Sequence, residues 1–291
     1  MNRRKLYSPL FFLPAILIYT VLFIVPAVSG LAYSLTNWNI NRTSIRFIGL
    51  ANYVEIFSST GPYLLSIVHT LLFTVVTLFL KTFLGLALAL FLNERIFGRN
   101  PMRTVFFLPY TWSPLIIGIV FVSILAPKGP LNALLALPGI QGLTHAWLSE
   151  PKTALLSTMF VETWRMAGWN MAIFLAGLQM IPREYSEAAA IDGAGAWHRF
   201  WKITIPFLMP SINIAVVLNL IHGLRVFDII YALTGGGPGQ LTEVVNTQVF
   251  QTFSSGRYGI SNALNVIVIL FTLLIALTMK RALTGETEGS R

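Results

Sequence analysis

The chain has 291 residues, of which 55% are hydrophobic and only 11% are charged. Soluble domains carry about 25% charged residues, so this composition excludes an ordinary soluble domain and indicates an integral membrane protein. The chain contains no cysteine, which excludes disulfides, thiol catalysis and cysteine-ligated metals. The net charge of +9 suggests nucleic acid only in a soluble protein. Here we expect no nucleic-acid partner, and the placement of the charge matters more than its sum.

Six apolar stretches are long enough, at about 20 residues, to cross a bilayer as helices. The first follows three basic residues, as in a signal peptide, but it is longer than the 7–15 residues or so of an h-region. We therefore interpret it as an uncleaved anchor. The sequence predicts an all-α polytopic membrane protein with six transmembrane helices. The predicted spans are Pro9–Leu35, Leu64–Leu92, Val105–Leu125, Ala154–Ile181, Ile205–Leu233 and Ile260–Met279.

Lysine and arginine residues orient these spans, because cytoplasmic loops are enriched in both. With the N-terminus inside, the inner segments hold twelve and the outer segments five. Both termini are therefore predicted in the cytoplasm. The inner residues are Arg3, Arg4, Lys5, Arg95, Arg99, Arg103, Arg183, Arg199, Lys202, Lys280, Arg281 and Arg291, and the outer ones are Arg42, Arg46, Lys128, Lys152 and Arg257.

No loop is long enough to form a separate folded domain. The outer loops near Asn37–Tyr63 and Ala126–Thr153 suit short interfacial helices and turns, with Trp38 and Trp147 in the headgroup region. We divide the chain into an N-terminal anchor helix and outer loop (1–63), a transmembrane domain (64–281) and a loose cytoplasmic tail (282–291). No internal repeat is visible.

No catalytic pattern is present. The histidines at 69, 145, 198 and 222 have no metal-ligand spacing such as His-Glu-x-x-His, and a Gly-x-Ser-x-Gly nucleophile motif is absent. The glycine-rich run Thr234–Gln240 lacks the Lys-Ser/Thr pair of a phosphate loop, so we interpret it as a turn that ends a helix. We expect no catalytic residue, no metal and no cofactor.

A polar elbow, Glu184–Pro206, interrupts the apolar sequence on the predicted cytoplasmic side. Helix formers fill Arg183–Ile191 after Pro182, which can open a helix. Gly193 and Gly195 break it, Ala196–Lys202 allows a second short helix, and Pro206 is expected to mark the entry into the fifth span. Two interpretations remain open. The small residues Ala188–Ala190 beside Glu187 suit a knob for a cleft on another protein, whereas Trp197 and Trp201 favour a lipid surface.

The elbow resembles a known signature. Glu187-Ala188-Ala189, three residues, Gly193, nine residues and Ile203-Thr204-Ile205-Pro206 are similar to the EAA motif of binding-protein-dependent ABC importer permeases, with Ile205 in place of the usual Leu. Phe227–Pro238 and Phe47–Tyr53 resemble segments of the carbohydrate-uptake branch, the MalF- and UgpA-like permeases. The resemblance covers roughly residues 47–279.

This resemblance implies a type I ABC importer transmembrane fold in a bacterial or archaeal inner membrane. It implies as partners a second permease subunit, a dimer of ABC ATPases and an extracytoplasmic substrate-binding protein. The elbow is then a coupling helix within 182–204. In it Glu187, with Ala188 and Ala189, meets a basic residue of the ATPase, and Gly193 allows the turn.

Five charged residues lie within the predicted spans, where charges are costly and mark functional candidates: Lys81, Glu162, Arg165, Arg225 and Asp228. Lys81 and Glu162 have similar depth and are predicted to pair. Helical phase at about 100° per residue separates Asp228 and Arg225 from the stripe that begins at Asn219. We therefore predict that Asp228 is structural, either anchored to a neighbouring helix or paired with Arg225.

The substrate candidates come from the same two spans. Glu162, Arg165 and Trp169 share one face of span four, and a second face on span five carries Asn219 and His222. Resemblance to the maltose permease implies that substrate meets the equivalents of Met166, Trp169, Asn219, His222, Gly223 and Val226. An aromatic ring and amide or imidazole hydrogen bonds suit a sugar. The alternative for each is packing within the bundle, and for His69 a hydrogen bond to a neighbour.

The sequence therefore predicts a permease subunit of an ATP-driven carbohydrate importer, which is not itself an enzyme. The five charges in the spans sum to +1, which leaves a permease for a glycerol phosphate or a related sugar phosphate as an alternative. A secondary transporter is less favoured, because its site usually lies between internal repeats.

Overall fold

A computed structural model describes residues 9–42, 44–58, 62–94, 96–137 and 143–288. The regular structure of this part is helical, apart from one isolated bridge between Thr36 and Phe47, which confirms the all-α prediction. The helices are α1 Leu13–Ser34, α2 Ala51–Phe57, α3 Pro62–Asn93, α4 Arg99–Thr111, α5 Pro114–Ile124, α6 Pro130–Leu135, α7 Ala154–Gln179, α8 Arg183–Ile191, α9 Ala196–Leu224, α10 Asp228–Thr234, α11 Val245–Ser254 and α12 Tyr258–Glu288.

The chain divides into two compact units, each described by itself. One comprises Met1–Leu64 with Gln248–Ile269, and the other Leu65–Thr247 with Leu270–Arg291. In the first unit, Arg257 donates hydrogen bonds to Glu55 at 2.6 Å and to the Tyr63 hydroxyl at 2.5 Å. These bonds tie the loop after α11 to α2 and to the start of α3.

Four described helices are long and apolar enough to cross a membrane: α1, α3, α9 and residues 258–278 of α12. The bent pair α4 and α5 could make one more crossing. The fourth predicted span is α7, which has 26 residues and a length of about 39 Å. Its buried polar residues make it less apolar than the others. Helices therefore occupy all six predicted positions, while six membrane crossings remain a prediction.

The third predicted span, Val105–Leu125, is wrong as a single straight helix, because α4 and α5 meet at 97°. Trp112 and Ser113 have extended backbones, with ψ of 147° and 133°. The ring of Pro114 disfavours helical geometry in the residue before it. The proline thus separates two helices where hydropathy alone shows one run.

The fifth predicted span, Ile205–Leu233, also differs at both ends. Its helix begins nine residues earlier, at Ala196, and a π turn at Phe200–Thr204 carries it past Pro206. A proline has no backbone N–H to donate to the preceding turn of a helix. A local π turn changes the hydrogen-bond pattern at that point, so the helix can accommodate the proline. The helix then ends at Leu224 and resumes as α10 at Asp228.

Helix α7 is the central element of the second unit, with 18 of its 26 residues buried. It packs against α4 and α9, and at each crossing a glycine allows close approach. A Cβ on Gly168 would overlap the Phe106 carbonyl of α4, and one on Gly177 would overlap Ser211 of α9. Small residues at helix contacts are typical of membrane bundles, where backbones approach closely.

The connecting segments follow the sequence expectations in part. The outer loops contain the short helices α2 and α6, as predicted. The glycine-rich run ends α10 through Gly235, whose φ of +61° is left-handed, which confirms that interpretation. Residues 282–288 of the predicted tail are helical, because α12 continues to Glu288, and its last three residues lie outside the described part of the chain.

Candidate functional site

A buried carboxylate, Glu162 of α7, joins two cations inside the second unit. Lys81 Nζ of α3 lies 3.1 Å from Glu162 Oε1, and both side chains are essentially inaccessible. Arg165, one turn further along α7, donates through Nε to Oε2 at 3.0 Å and through Nη2 to Oε1 at 3.1 Å. The predicted Lys81–Glu162 pair is thus confirmed, and Arg165 completes a cluster with one carboxylate and two cations.

Glu162 and Arg165 of this cluster form one wall of a cavity of about 370 Å³. Arg165 Nη2 lies 3.5 Å from His222 Nε2 of α9, so the imidazole extends the polar wall. Glu162 fixes the Nε edge of Arg165 by two hydrogen bonds, and the guanidinium therefore faces the cavity in a defined orientation. The lining residues are Glu162, Arg165, Trp169, Leu218, Ile221, His222, Arg225, Val226, Phe227, Asp228 and Ile229.

The substrate candidates divide into two groups. Arg165, Trp169, His222 and Val226 line the cavity. Met166, Asn219 and Gly223 are buried and do not line it; their contact with substrate remains a prediction.

Asn219 and Gly223 make contacts inside the bundle instead. The Asn219 amide donates to Asn170 Oδ1 at 2.6 Å, and the Asn170 amide also donates to the Met166 carbonyl at 3.1 Å. Gly223 lies against Thr74 of α3, where a Cβ would be within 2.9 Å of Thr74 Cα.

Arg225 and Asp228 both line the cavity, which corrects the helical-phase argument. That argument assumed one continuous helix, whereas the helix breaks after Leu224 and turns both side chains toward the same space. Both are exposed on the single chain. Among the described residues no Arg225–Asp228 ion pair forms within 4.0 Å, so the predicted pairing is wrong within this chain.

Sequence reasoning missed the contacts that shape this site. Asn170 is buried and holds Asn219, and Asn246 Nδ2 donates to the Val226 carbonyl at 3.2 Å, which stabilises the helix break. The sequence could have indicated a role for Asn170, because it is a polar residue within an apolar span. The role of Asn246 depends on a contact 20 residues away in sequence. His69 Nδ1 lies 3.1 Å from the Glu243 carbonyl, which confirms the expected neighbour.

The elbow is the second candidate site. Helix α8, Arg183–Ile191, has the predicted bounds and no buried residue. Glu187 and Ala188 are exposed and Ala189 is half-buried. Gly193 has a φ of +82° with open space around it, so a glycine is needed for the turn. The second arm is not a separate short helix as predicted, because it continues into α9.

Two contacts hold α8 against α9. Arg199 Nη1 donates to the Ser186 carbonyl at 3.3 Å, and the rings of Tyr185 and Phe207 lie 4.9 Å apart. The elbow therefore follows the end of α7 and is held against α9. Both α7 and α9 also line the cavity. No group of three or more metal-ligating side chains occurs among the described residues.

Comparison with known proteins identifies the class. Residues 81–284 match the family described as "Binding-protein-dependent transport system inner membrane component". This match covers more than half of the chain, and the chain belongs to this family. It is a multi-pass inner-membrane permease component of an ABC transport system, not an enzyme.

Two similar proteins cover most or all of the chain. The "Probable ABC transporter permease protein YurN" of Bacillus subtilis is 36% identical over 293 residues, covering 99% of this chain and 100% of its own. The "Trehalose/maltose transport system permease protein MalF" of Thermococcus litoralis is 37% identical over 235 residues, covering 80% and 78%.

A solved structure shares the fold. It is a bacterial alginate ABC transporter in complex with an alginate pentasaccharide-bound periplasmic protein. One of its chains superposes with a TM-score of 0.80 at 24% identity and covers 92% of this chain and 91% of that chain.

Proposed function

We propose that this chain forms half of the pathway through which an ABC importer moves a carbohydrate into the cell. Its partners are a second permease subunit, two ABC ATPase subunits and an extracytoplasmic substrate-binding protein. The observation that carries the proposal is the elbow, an exposed small-residue helix with the spacing of the EAA motif. Because α8 is tied to α9, force applied to α8 reaches a helix that lines the cavity.

The cavity supports a carbohydrate as substrate. Trp169 is half-buried on its wall, and an indole ring offers an apolar face for a sugar ring. Arg165 and His222 provide polar groups that can hydrogen-bond hydroxyls. Such pockets combine apolar walls with a few placed polar groups. The trehalose/maltose permease among the relatives supports the same substrate class.

A sugar phosphate is the second candidate. Lys81 and the charged residues that line the cavity sum to +1, because Lys81, Arg165 and Arg225 exceed Glu162 and Asp228 by one. A glycerol-3-phosphate permease is also among the relatives, at 32% identity. Neutral sugars are favoured because Glu162 already binds two of the cations.

The coupling role of Glu187 is tested with the complete transporter in proteoliposomes. Glu187→Lys reverses a charge on the face that meets the ATPase, so we expect ATP-driven uptake to fall at least tenfold while assembly in the membrane persists. Uptake is measured with radiolabelled maltose, trehalose and sn-glycerol 3-phosphate, ATP inside and the binding protein outside. The matched control is Glu94→Lys, which makes the same change at an exposed glutamate outside the elbow, between α3 and α4, and should retain most of the activity.

Two results would contradict the proposal. Unimpaired uptake by Glu187→Lys would show that this carboxylate does not couple. Uptake by the parent protein that runs on an ion gradient without ATP or a binding protein would show a secondary transporter instead.

A further inference from the structure

Three aromatic rings form an exposed cluster on the second arm of the elbow, which the coupling role leaves unexplained. Trp197 and Trp201 have ring centroids 5.7 Å apart, and Phe200 lies 6.1 Å from the first and 5.1 Å from the second. Trp197 is 74% exposed and Trp201 is 50% exposed. This aromatic cluster, Trp197–Phe200–Trp201, is preassembled and uncovered in the single chain.

The aromatic cluster lies on a different side of α9 from α8. Arg199 binds the Ser186 carbonyl of α8, and each tryptophan is two residues from Arg199, or about 200° around the helix. His198 and Lys202 line a third side, the concave surface beneath the turn at Gly193. A protein docked on α8 would therefore leave the two indole rings uncovered.

The depth of the aromatic cluster fits the membrane interface. The helix carries no charged residue between Lys202 and Arg225, and Trp201 lies about 3 Å and Trp197 about 9 Å outside Ile203 along the axis. The headgroup layer of each leaflet is about 5–8 Å thick, so Trp201 falls within it and Trp197 falls at its aqueous edge. Tryptophan is enriched at this depth.

We infer that the aromatic cluster forms a binding surface for phospholipid headgroups on the leaflet that the elbow faces. The elbow then has two separate binding surfaces, one for a protein on α8 and one for lipid on α9. Because α9 is continuous from Ala196 to Leu224, lipid bound at the aromatic cluster fixes the elbow end of the helix that carries His222. This inference does not depend on the substrate or on the ATPase.

The chain contains no cysteine, so single thiols can report the depth of this surface. Trp197→Cys and Trp201→Cys are spin-labelled separately and placed in nanodiscs of phosphatidylcholine with phosphatidylglycerol. Electron paramagnetic resonance compares access to oxygen, which partitions into lipid, with access to a water-soluble nickel chelate. We expect an oxygen-to-nickel ratio several-fold higher than for Ile191→Cys, which is 87% exposed at the end of α8.

Two outcomes of this measurement would overturn the inference. Labels at 197 and 201 could be as open to the nickel chelate as the label at 191. Alternatively, they could become protected only when the ATPase is added, which would assign the surface to a protein. Quenching of the natural tryptophans by brominated phosphatidylcholine provides a second measure, and it should fall in Trp197→Phe/Trp201→Phe, which keeps the aromatic bulk.

Discussion

At the scale of single residues, the Glu162 carboxylate is the charge on which the cavity wall depends. Removing one partner of a buried ion pair leaves an uncompensated charge and costs about 3–5 kcal/mol. Glu162→Gln leaves Lys81 and Arg165 facing each other without an anion, so it should be strongly destabilising. Lys81→Met should cost less, because Arg165 still binds both carboxylate oxygens.

The double variant Lys81→Met/Glu162→Gln separates charge compensation from packing. It leaves one cation instead of two, so we expect it to be more stable than Glu162→Gln alone. Thermal unfolding in detergent compares the stability of the parent protein, the two single variants and the double variant. The control is Thr77→Val on the same helix, since the buried Thr77 hydroxyl has no hydrogen-bond partner in the described structure. Additive losses in the double variant would mean that the two charges do not interact.

At the scale of helices, close contacts at glycines determine how the second unit packs. A Cβ at Gly168 would meet the Phe106 carbonyl and the Phe107 backbone of α4, and backbone cannot rotate away as a side chain can. Gly168→Ala should therefore destabilise the protein by about 1–3 kcal/mol. The comparison is Gly195→Ala, with a φ of −62° and nothing within 4 Å, which should cost less than about 1 kcal/mol. Equal melting temperatures for the two variants would contradict this explanation.

Local chemistry predicted some helices in detail. The bounds of α8 follow from Pro182 before it and Gly193 after it, because both residues determine the local backbone geometry without help from distant contacts. The lone polar residues Lys81 and Glu162 also predicted their pairing, since a charge in an apolar span must find a partner.

Features that depend on distant contacts were not predictable from the sequence. The break after Leu224 contains neither proline nor glycine in Arg225–Phe227, and Asn246 supports it through the Val226 carbonyl. A proline rule placed the start of the fifth span at Pro206, whereas the π turn at Phe200–Thr204 accommodates that proline. The orientations of Arg225 and Asp228 were not predicted for the same reason, because helical phase cannot be carried across a break.

At the scale of the whole molecule, the single chain exposes more apolar surface than a soluble protein does. No residue of the most apolar stretch of α1 is buried in the single chain, and 17% of the residues in that of α9 are buried. Lipid and other subunits are the natural cover for such surfaces. The family membership and this exposure agree that the chain functions as one part of a membrane assembly.

Lysine and arginine placement also predicts which segments face the cytoplasm. With α8 inside, Ile191→Cys should be protected from a membrane-impermeant maleimide in intact spheroplasts, whereas Lys128→Cys between α5 and α6 should react. Both native residues are exposed on the chain, and the absence of other cysteines gives a clean background. Permeabilising the membrane should make both sites react, which shows that protection came from the bilayer. Reaction at Ile191→Cys alone in intact spheroplasts would invert the predicted orientation and place the elbow away from any ATP-hydrolysing partner.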